Sequence, residues 1–145
     1  MDLYPPGSMT STHSASPLPV AAAIASLKII QAENLPARAE AMGKILLPAL
    51  QRLQRQYPRR IGAVHGMGLV AGLQIVKPGA KEPDSETALR INVACFHKGL
   101  LMFAPVGWGG HCVKIAPPLT ITEEALREAI QVFEEAVGEV LSPSI

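Results

Sequence analysis

A run of hydroxyl side chains stands directly before an alanine-rich segment near the start of the chain. Ser11 and Thr12 precede Ser16 and Pro17, and residues 20–24 read Val-Ala-Ala-Ala-Ile. Serine is a common N-cap and proline is favoured as the first helical residue, so a helix is predicted to begin at Pro17. Unpaired N–H groups and the dipole at such a helix start attract anions. The pattern predicts a phosphate-binding loop or, as the alternative, plain capping of the helix.

A single cation interrupts an apolar stretch near the other end of the chain. Residues 112–116 read Cys-Val-Lys-Ile-Ala, which predicts a strand that carries Lys114. Pro117 and Pro118 end that strand because proline cannot donate a ladder hydrogen bond. Thr120 with Glu123 three residues later has the spacing of a capping box, so a helix is predicted to begin there.

Histidine and cysteine form no metal-binding pattern. Neither a CxxC nor an HxxxH spacing occurs, and no metal site is predicted. The residues considered are His13, His65, His97, His111, Cys95 and Cys112.

The composition is typical of one globular domain. The chain has 145 residues, of which 48% are hydrophobic, so it can bury one core. A net charge of +1 gives no field for nucleic acid or an anionic membrane, and neither partner is predicted. The first residues are not typical of a secretory signal or transit peptide. No apolar run is long enough to span a membrane. The two cysteines are expected to be reduced. A soluble, cytoplasmic protein is predicted.

Hydrophobic periodicity places helices in the first third of the chain. Val20, Ile24 and Leu27 recur at helical spacing, which predicts a helix ending near Glu33. A second amphipathic helix is predicted from Asn34 to Tyr57. Arginines near its end, together with few aromatic partners, are typical of a solvated helix terminus; they are Arg52, Arg55, Arg59 and Arg60.

Short strands are predicted in the rest of the chain. Residues 61–64 and 69–76 alternate as strands around a glycine turn at residues 65–68. A third helix is marked by Leu89, Val93 and Phe96 and ends at Gly99. Further strands are predicted at 100–104 and 112–116, and the last helix should bury Leu126, Ile130, Phe133, Val137 and Val140. Helices around a short, mainly antiparallel sheet define an α+β fold.

Three segments resemble class III pyridoxal-phosphate-dependent aminotransferases, in the same order along the chain. They are Ser11-Thr12-His13 before Pro17, the Gly66-Met67-Gly68-Leu69-Val70-Ala71-Gly72-Leu73 strand pair, and Lys114-Ile115-Ala116-Pro117-Pro118-Leu119-Thr120. The resemblance implies the C-terminal part of such an enzyme, with the small α+β domain of a fold-type I transferase preceded by a long interdomain helix. It divides the chain into a cofactor-phosphate loop (1–16), connecting helices (17–56) and the small domain (57–145).

The resemblance also implies roles for individual residues. Thr12, with Ser11, matches the family's hydroxyl loop that binds the cofactor phosphate of the neighbouring subunit in a homodimer. Lys114 stands where many relatives carry an arginine that binds a substrate carboxylate. A lysine keeps the charge but loses the bidentate geometry, so Lys114 either binds a carboxylate as a point charge or is a surface cation. His65 also replaces a frequent arginine, and a flanking structural histidine is the expectation there.

The family's imine-forming lysine lies upstream of the matching region, and we expect this chain to lack it and to be inactive alone. Two functions stay open. The chain is the C-terminal part of an aminotransferase that moves an amino group between an amine or amino acid and a 2-oxo acid. Alternatively, it is a noncatalytic dimerisation or interaction module derived from that family.

Overall fold

The computed structural model describes Pro5, residues 7–8 and residues 16–142. These residues separate into two compact units between Leu35 and Pro36. The first unit contains α1 (Pro17–Ala32), which begins with Pro17 as predicted and has Ser16 at the N-cap position without a side-chain capping bond. Its apolar side chains are exposed, among them Leu18, Val20, Ile24, Leu27 and Ile29.

The second unit has the predicted α+β architecture. After α2 (Leu35–Gln56), β1 (Ile61–Met67) pairs with β2 (Val70–Ile75), and β2 pairs with β3 (Cys112–Ile115), both antiparallel, in the order β1-β2-β3. Helices α3 (Ser85–His97) and α4 (Glu123–Leu141) complete it. Within the described residues, no helix is both long and apolar enough to cross a membrane.

One hydrophobic core joins the sheet to the three helices of this unit. Residues 71, 73 and 75 of β2 are buried while residues 72 and 74 are half-buried, so one face of the sheet belongs to the core. The core is formed by Leu46, Leu50 and Leu53 of α2, Ile61, Leu73, Ile75 and Val113 of the sheet, Ile91 and Cys95 of α3, and Leu126, Phe133 and Val137 of α4. Removing these side chains from water is the main favourable term in folding.

The turn between β1 and β2 is shorter than predicted. Strand β1 continues to Met67, which pairs with Val70, and the turn consists of Gly68 and Leu69. Gly68 has φ +55°, which a glycine adopts without strain. Helix α2 approaches this turn so closely that a Cβ on Gly43 would lie 2.6 Å from the Gly68 carbonyl oxygen. The predicted turn at 65–68 was wrong because His65 and Gly66 pair with Gly72 and Ala71.

Three further predictions about the elements were wrong in detail. Helix α3 buries Thr87, Ala88, Ile91 and Cys95, whereas the predicted stripe of Leu89, Val93 and Phe96 is exposed. Residues 100–104 form no strand. The N-cap of α4 is Thr122, whose hydroxyl accepts from the Ala125 N–H at 3.1 Å, and not Thr120.

Candidate functional site

An apolar cavity of about 540 Å³ lies in the second unit. We call it the Lys114 cavity, because Lys114 is the one charged residue among the described residues that line it. Residues 100–103 form one wall, and Lys114–Pro118 with Ile121 form another. The remaining lining comes from α2 and α4, through Leu46, Leu50, Leu126, Ala129, Ile130 and Phe133. A concave apolar site with few polar groups is the usual form of a small-molecule pocket.

The chain segments that form the first two walls pair at an isolated backbone bridge and separate beyond it. Val106 and Cys112 exchange two backbone hydrogen bonds of 2.9 and 3.0 Å, on the side of β3 that faces away from β2. Backbone groups in an antiparallel ladder alternate in direction, so Lys114, two residues after Cys112, points its N–H and C=O to that same outer edge. No residue in the described part of the chain pairs with these two groups.

The side chain of Lys114 is half-buried beside an aromatic ring. Its Nζ lies 5.0 Å from the centroid of the Phe103 ring, within the range of a cation–π contact. Among residues 16–142, no carboxylate lies within ion-pair distance of this ammonium. Lys114 therefore lines the cavity, and its ammonium lies beside a side chain of the cavity wall without an anionic partner from the described chain.

Arg38 of α2 fixes the wall that follows Lys114. Its guanidinium donates from Nε to the Leu119 carbonyl at 3.2 Å and from Nη2 to the Ile121 carbonyl at 2.7 Å. The sequence around Arg38 does not signal this role, since the carbonyl acceptors lie more than 80 residues away along the chain. The arginine uses its donors on backbone and holds the end of the double-proline segment.

The predicted phosphate ligands fall outside the part of the chain that the structure describes. The two ligands are Ser11 and Thr12, and the structure does not describe either residue. The predicted phosphate loop stays a prediction.

Four other candidate side chains, two histidines and two cysteines, lie in surroundings that indicate a structural role. His65 is exposed on β1, and His111 Nδ1 lies 2.7 Å from the Trp108 carbonyl oxygen. Burial raises the pKa of the Cys95 thiol to about 11 and raises that of Cys112, so both favour the unreactive thiol form. Within residues 16–142 no His, Cys, Asp and Glu cluster suited to a metal occurs.

The arginines near the end of α2 are not one solvated cluster. Arg60 donates from Nη2 to Asp84 Oδ2 at 3.1 Å and to Thr87 Oγ1 at 2.9 Å. Asp84 also caps α3 by accepting from the Thr87 N–H at 3.0 Å. Burial raises the pKa of Asp84, but hydrogen bonds from Thr87 and the Arg60 charge outweigh it, and the pKa is lowered overall. We call these three residues the Arg60 network.

The chain is similar to aminotransferases along nearly its whole length. The family model for aminotransferase class III matches residues 1–137. An alanine/serine racemase from Pyrococcus horikoshii is 34% identical over 96% of this chain and 29% of its own. A probable 4-aminobutyrate aminotransferase from Bacillus subtilis is 34% identical over 92% of this chain and 30% of its own.

Solved structures agree with this similarity. An amine transaminase from an uncultivated Pseudomonas species, in its PLP-bound form, superposes with a TM-score of 0.78 and 31% identity, covering 92% of this chain and 30% of that one. This chain thus spans about three tenths of the length of the relatives that it matches. The sequence match and the shared fold together place the chain in the class III aminotransferase family.

Proposed function

We propose that this chain forms the C-terminal part of a pyridoxal-phosphate-dependent aminotransferase. The reaction moves an amino group between an amine or amino acid and a 2-oxo acid. The observation that carries this proposal is Lys114, a cation with no carboxylate partner among the described residues, lining an apolar cavity. Such a charge is suited to bind a substrate carboxylate while the rest of the substrate lies on apolar surface.

The described residues do not hold the cofactor by themselves. A phosphate needs several converging N–H or hydroxyl donors, and the Lys114 cavity offers one cation among apolar side chains. We assign phosphate binding to Thr12 and Ser11, across the interface of a homodimer. This assignment follows the family motif and lies outside the described residues.

The proposal includes an imine-forming lysine supplied from outside this chain. Five of the six lysines, Lys28, Lys44, Lys77, Lys81 and Lys98, are exposed, and three of these form ion pairs with Glu40, Glu82 and Glu139. An imine-forming lysine is activated by an apolar pocket or by a neighbouring cation, and an exposed lysine lacks such surroundings. We therefore propose that the chain alone catalyses no transamination.

Exposed apolar side chains support a larger assembly. Leu89, Val93, Phe96, Leu101 and Trp108 are all exposed in the second unit, and Trp108 is 86% exposed. Large apolar patches on a protein surface usually mark an interaction site. Both free cysteines also fit a reducing compartment, and we place the assembly in the cytoplasm.

A noncatalytic module is the second candidate function, and one observation favours it. Helix α1 has no buried residue, although more than half of its side chains are apolar. A helix of this kind is suited to pair with another copy of the chain. In that case the chain would dimerise and show no dependence on pyridoxal phosphate.

A chimera distinguishes the two functions. The corresponding C-terminal part of the Bacillus subtilis relative is replaced by this chain, and turnover of 4-aminobutyrate with 2-oxoglutarate is measured. The aminotransferase proposal predicts measurable turnover and an absorbance change on adding pyridoxal phosphate. A folded, dimeric chimera without either signal would contradict it and favour the interaction module.

Thr12→Ala in the same chimera tests the phosphate assignment. Loss of a hydroxyl bonded to a charged phosphate is expected to weaken cofactor affinity about tenfold. Ser26→Ala is the matched control, because Ser26 is exposed on α1 and donates only to the Ala22 carbonyl within its own helix. Equal cofactor affinities for the two variants would remove Thr12 from the site.

A further inference from the structure

We propose that a groove between α2 and α4 binds a phosphate dianion between Lys44 and Arg127. This groove, which we call the α2–α4 groove, has a volume of about 390 Å³ and is lined by residues of both helices. Among the described residues, it shares only Ile130 with the Lys114 cavity. The site is therefore separate from the proposed substrate cavity, and it does not depend on the proposed aminotransferase function.

Two contacts show how the helices are aligned along the groove. Arg38 of α2 donates to the Ile121 carbonyl, just before α4 begins, at 2.7 Å. Arg52, farther along α2, donates to Glu134 of α4 at 3.2 Å. The contacts join residues that are 83 and 82 positions apart, so the two helices run in the same direction with a nearly constant register.

This register places two cations opposite each other at one end of the groove. Lys44 and Arg127 both line the groove and are separated by the same interval of 83 residues. The one carboxylate of the described lining, Glu134, pairs with Arg52 at the other end. Two like charges that face each other repel, and an anion between them is attracted by both.

Each of the two cations has a partner on its own helix that a ligand can replace. Lys44 Nζ lies 3.3 Å from Glu40 Oε1, and Arg127 Nη2 lies 2.7 Å from Glu123 Oε1. Both carboxylates lie one turn before their cations and do not line the groove. All four side chains are more than half exposed, and exposed ion pairs within one helix contribute little to stability.

A phosphate dianion matches the charge and the donors at this end of the groove. It carries two negative charges, one for each cation, and its oxygens accept several hydrogen bonds at once. An arginine donates two parallel N–H groups to phosphate oxygens, whereas a lysine contributes a point charge. A monocarboxylate has one charge and would leave one of the two facing cations without a counter-charge. Inorganic phosphate and the phosphate group of a monoester share the required chemistry.

Calorimetric titration of the full chain with inorganic phosphate, glycerol 3-phosphate and acetate tests the proposal. At about pH 8 both phosphates are dianions, and at least one should bind about tenfold more tightly than acetate. The tighter of the two identifies the source as free phosphate or a monoester. No measurable binding of either phosphate, or an equal affinity for acetate, would overturn the proposal.

The double variant Lys44→Met/Arg127→Met locates the site. Phosphate affinity is expected to fall about tenfold or more, because both charges that bind the anion are lost. Lys77→Met/Arg90→Met is the matched control, since it removes one lysine and one arginine that do not line the groove. Equal losses in the two double variants would attribute binding to net charge and overturn the assignment.

Removing the competing carboxylates should have the opposite effect. Glu40→Gln and Glu123→Gln release Lys44 and Arg127 from their partners, so each is expected to raise phosphate affinity about twofold. Glu82→Gln makes the same charge change beside a lysine outside the groove and is the control. A gain no larger than that of the control would overturn the proposal, and damage to the fold would not produce a selective gain.

Discussion

Arg60 and Lys114 are both half-buried cations, and their surroundings are opposite. Arg60 meets a carboxylate and a hydroxyl of its own chain, at 3.1 Å from Asp84 and 2.9 Å from Thr87. Lys114 meets an aromatic ring and an apolar cavity. A cation whose charge is neutralised within the fold stabilises that fold, whereas a cation without such a partner is available to a ligand. From this comparison we infer that Arg60 is a structural cation and propose that Lys114 is a binding cation.

Arg60→Met should produce the largest loss of stability. The substitution leaves Asp84 without its counter-charge and removes two hydrogen bonds, so the free energy of unfolding is expected to fall by about 2 to 3 kcal/mol. Urea denaturation of the full chain measures this. Lys114→Met, measured beside it, should change the same quantity by less than about 0.5 kcal/mol. Equal losses in the two variants would break the distinction between the two cations.

Arg38→Met should produce an intermediate loss and affect the cavity as well. The substitution removes hydrogen bonds to the Leu119 and Ile121 carbonyls, with an expected cost of about 1 to 2 kcal/mol in unfolding free energy. Because those bonds hold the wall after Pro118, the KM of the chimera for 4-aminobutyrate should rise as stability falls. Arg55→Met, at the exposed end of α2, is the control. Lost stability with an unchanged KM would show that the cavity wall does not depend on Arg38.

The pH dependence of the Arg60 network should be a smaller effect. The pKa of Asp84 is lowered in the folded chain, so its carboxylate adds stability above its unfolded pKa of about 3.9 and loses it as the pH falls through the folded value. Asp84→Asn should be less stable than the wild type at pH 6, because Arg60 loses its counter-charge, although the amide oxygen can still accept from Thr87.

That difference should shrink as the pH falls below about 4, where the wild-type carboxyl also becomes neutral. Urea denaturation at a series of pH values measures it, with the exposed Glu128→Gln as the control. A difference in unfolding free energy that stays constant down to about pH 2 would show that the charge of Asp84 does not stabilise the fold.

Local sequence signals predicted those elements of the fold that depend mainly on neighbouring residues. Pro17 begins α1, and the alternation of residues 71–75 gave a strand with one buried face. The pattern of Leu89, Val93 and Phe96 correctly predicted a helix but not which side is buried. A second stripe, with the smaller Ala88 and Cys95, packs against α4 and the sheet, and periodicity alone does not choose between two such stripes.

The candidate site was predictable only in part. Lys114 was singled out because a charged residue interrupts an apolar strand, and the structure places it among the residues that line the cavity; its binding role stays a prediction. The cavity itself, the Arg38 contacts and the Arg60 network depend on residues far apart in the sequence, and no local spacing reports such contacts. Residues 100–104 have the composition of a strand, but only Val106, after them, pairs with Cys112 of β3. Residues 100–103 lie apart from β3, and the space between them forms part of the cavity.

A crystal structure of the chimera with 4-aminobutyrate tests most directly whether Lys114 is a binding cation. We predict a carboxylate oxygen within about 4 Å of Lys114 Nζ. A carboxylate bound to any other cation, with Lys114 still on the Phe103 ring, would contradict the account.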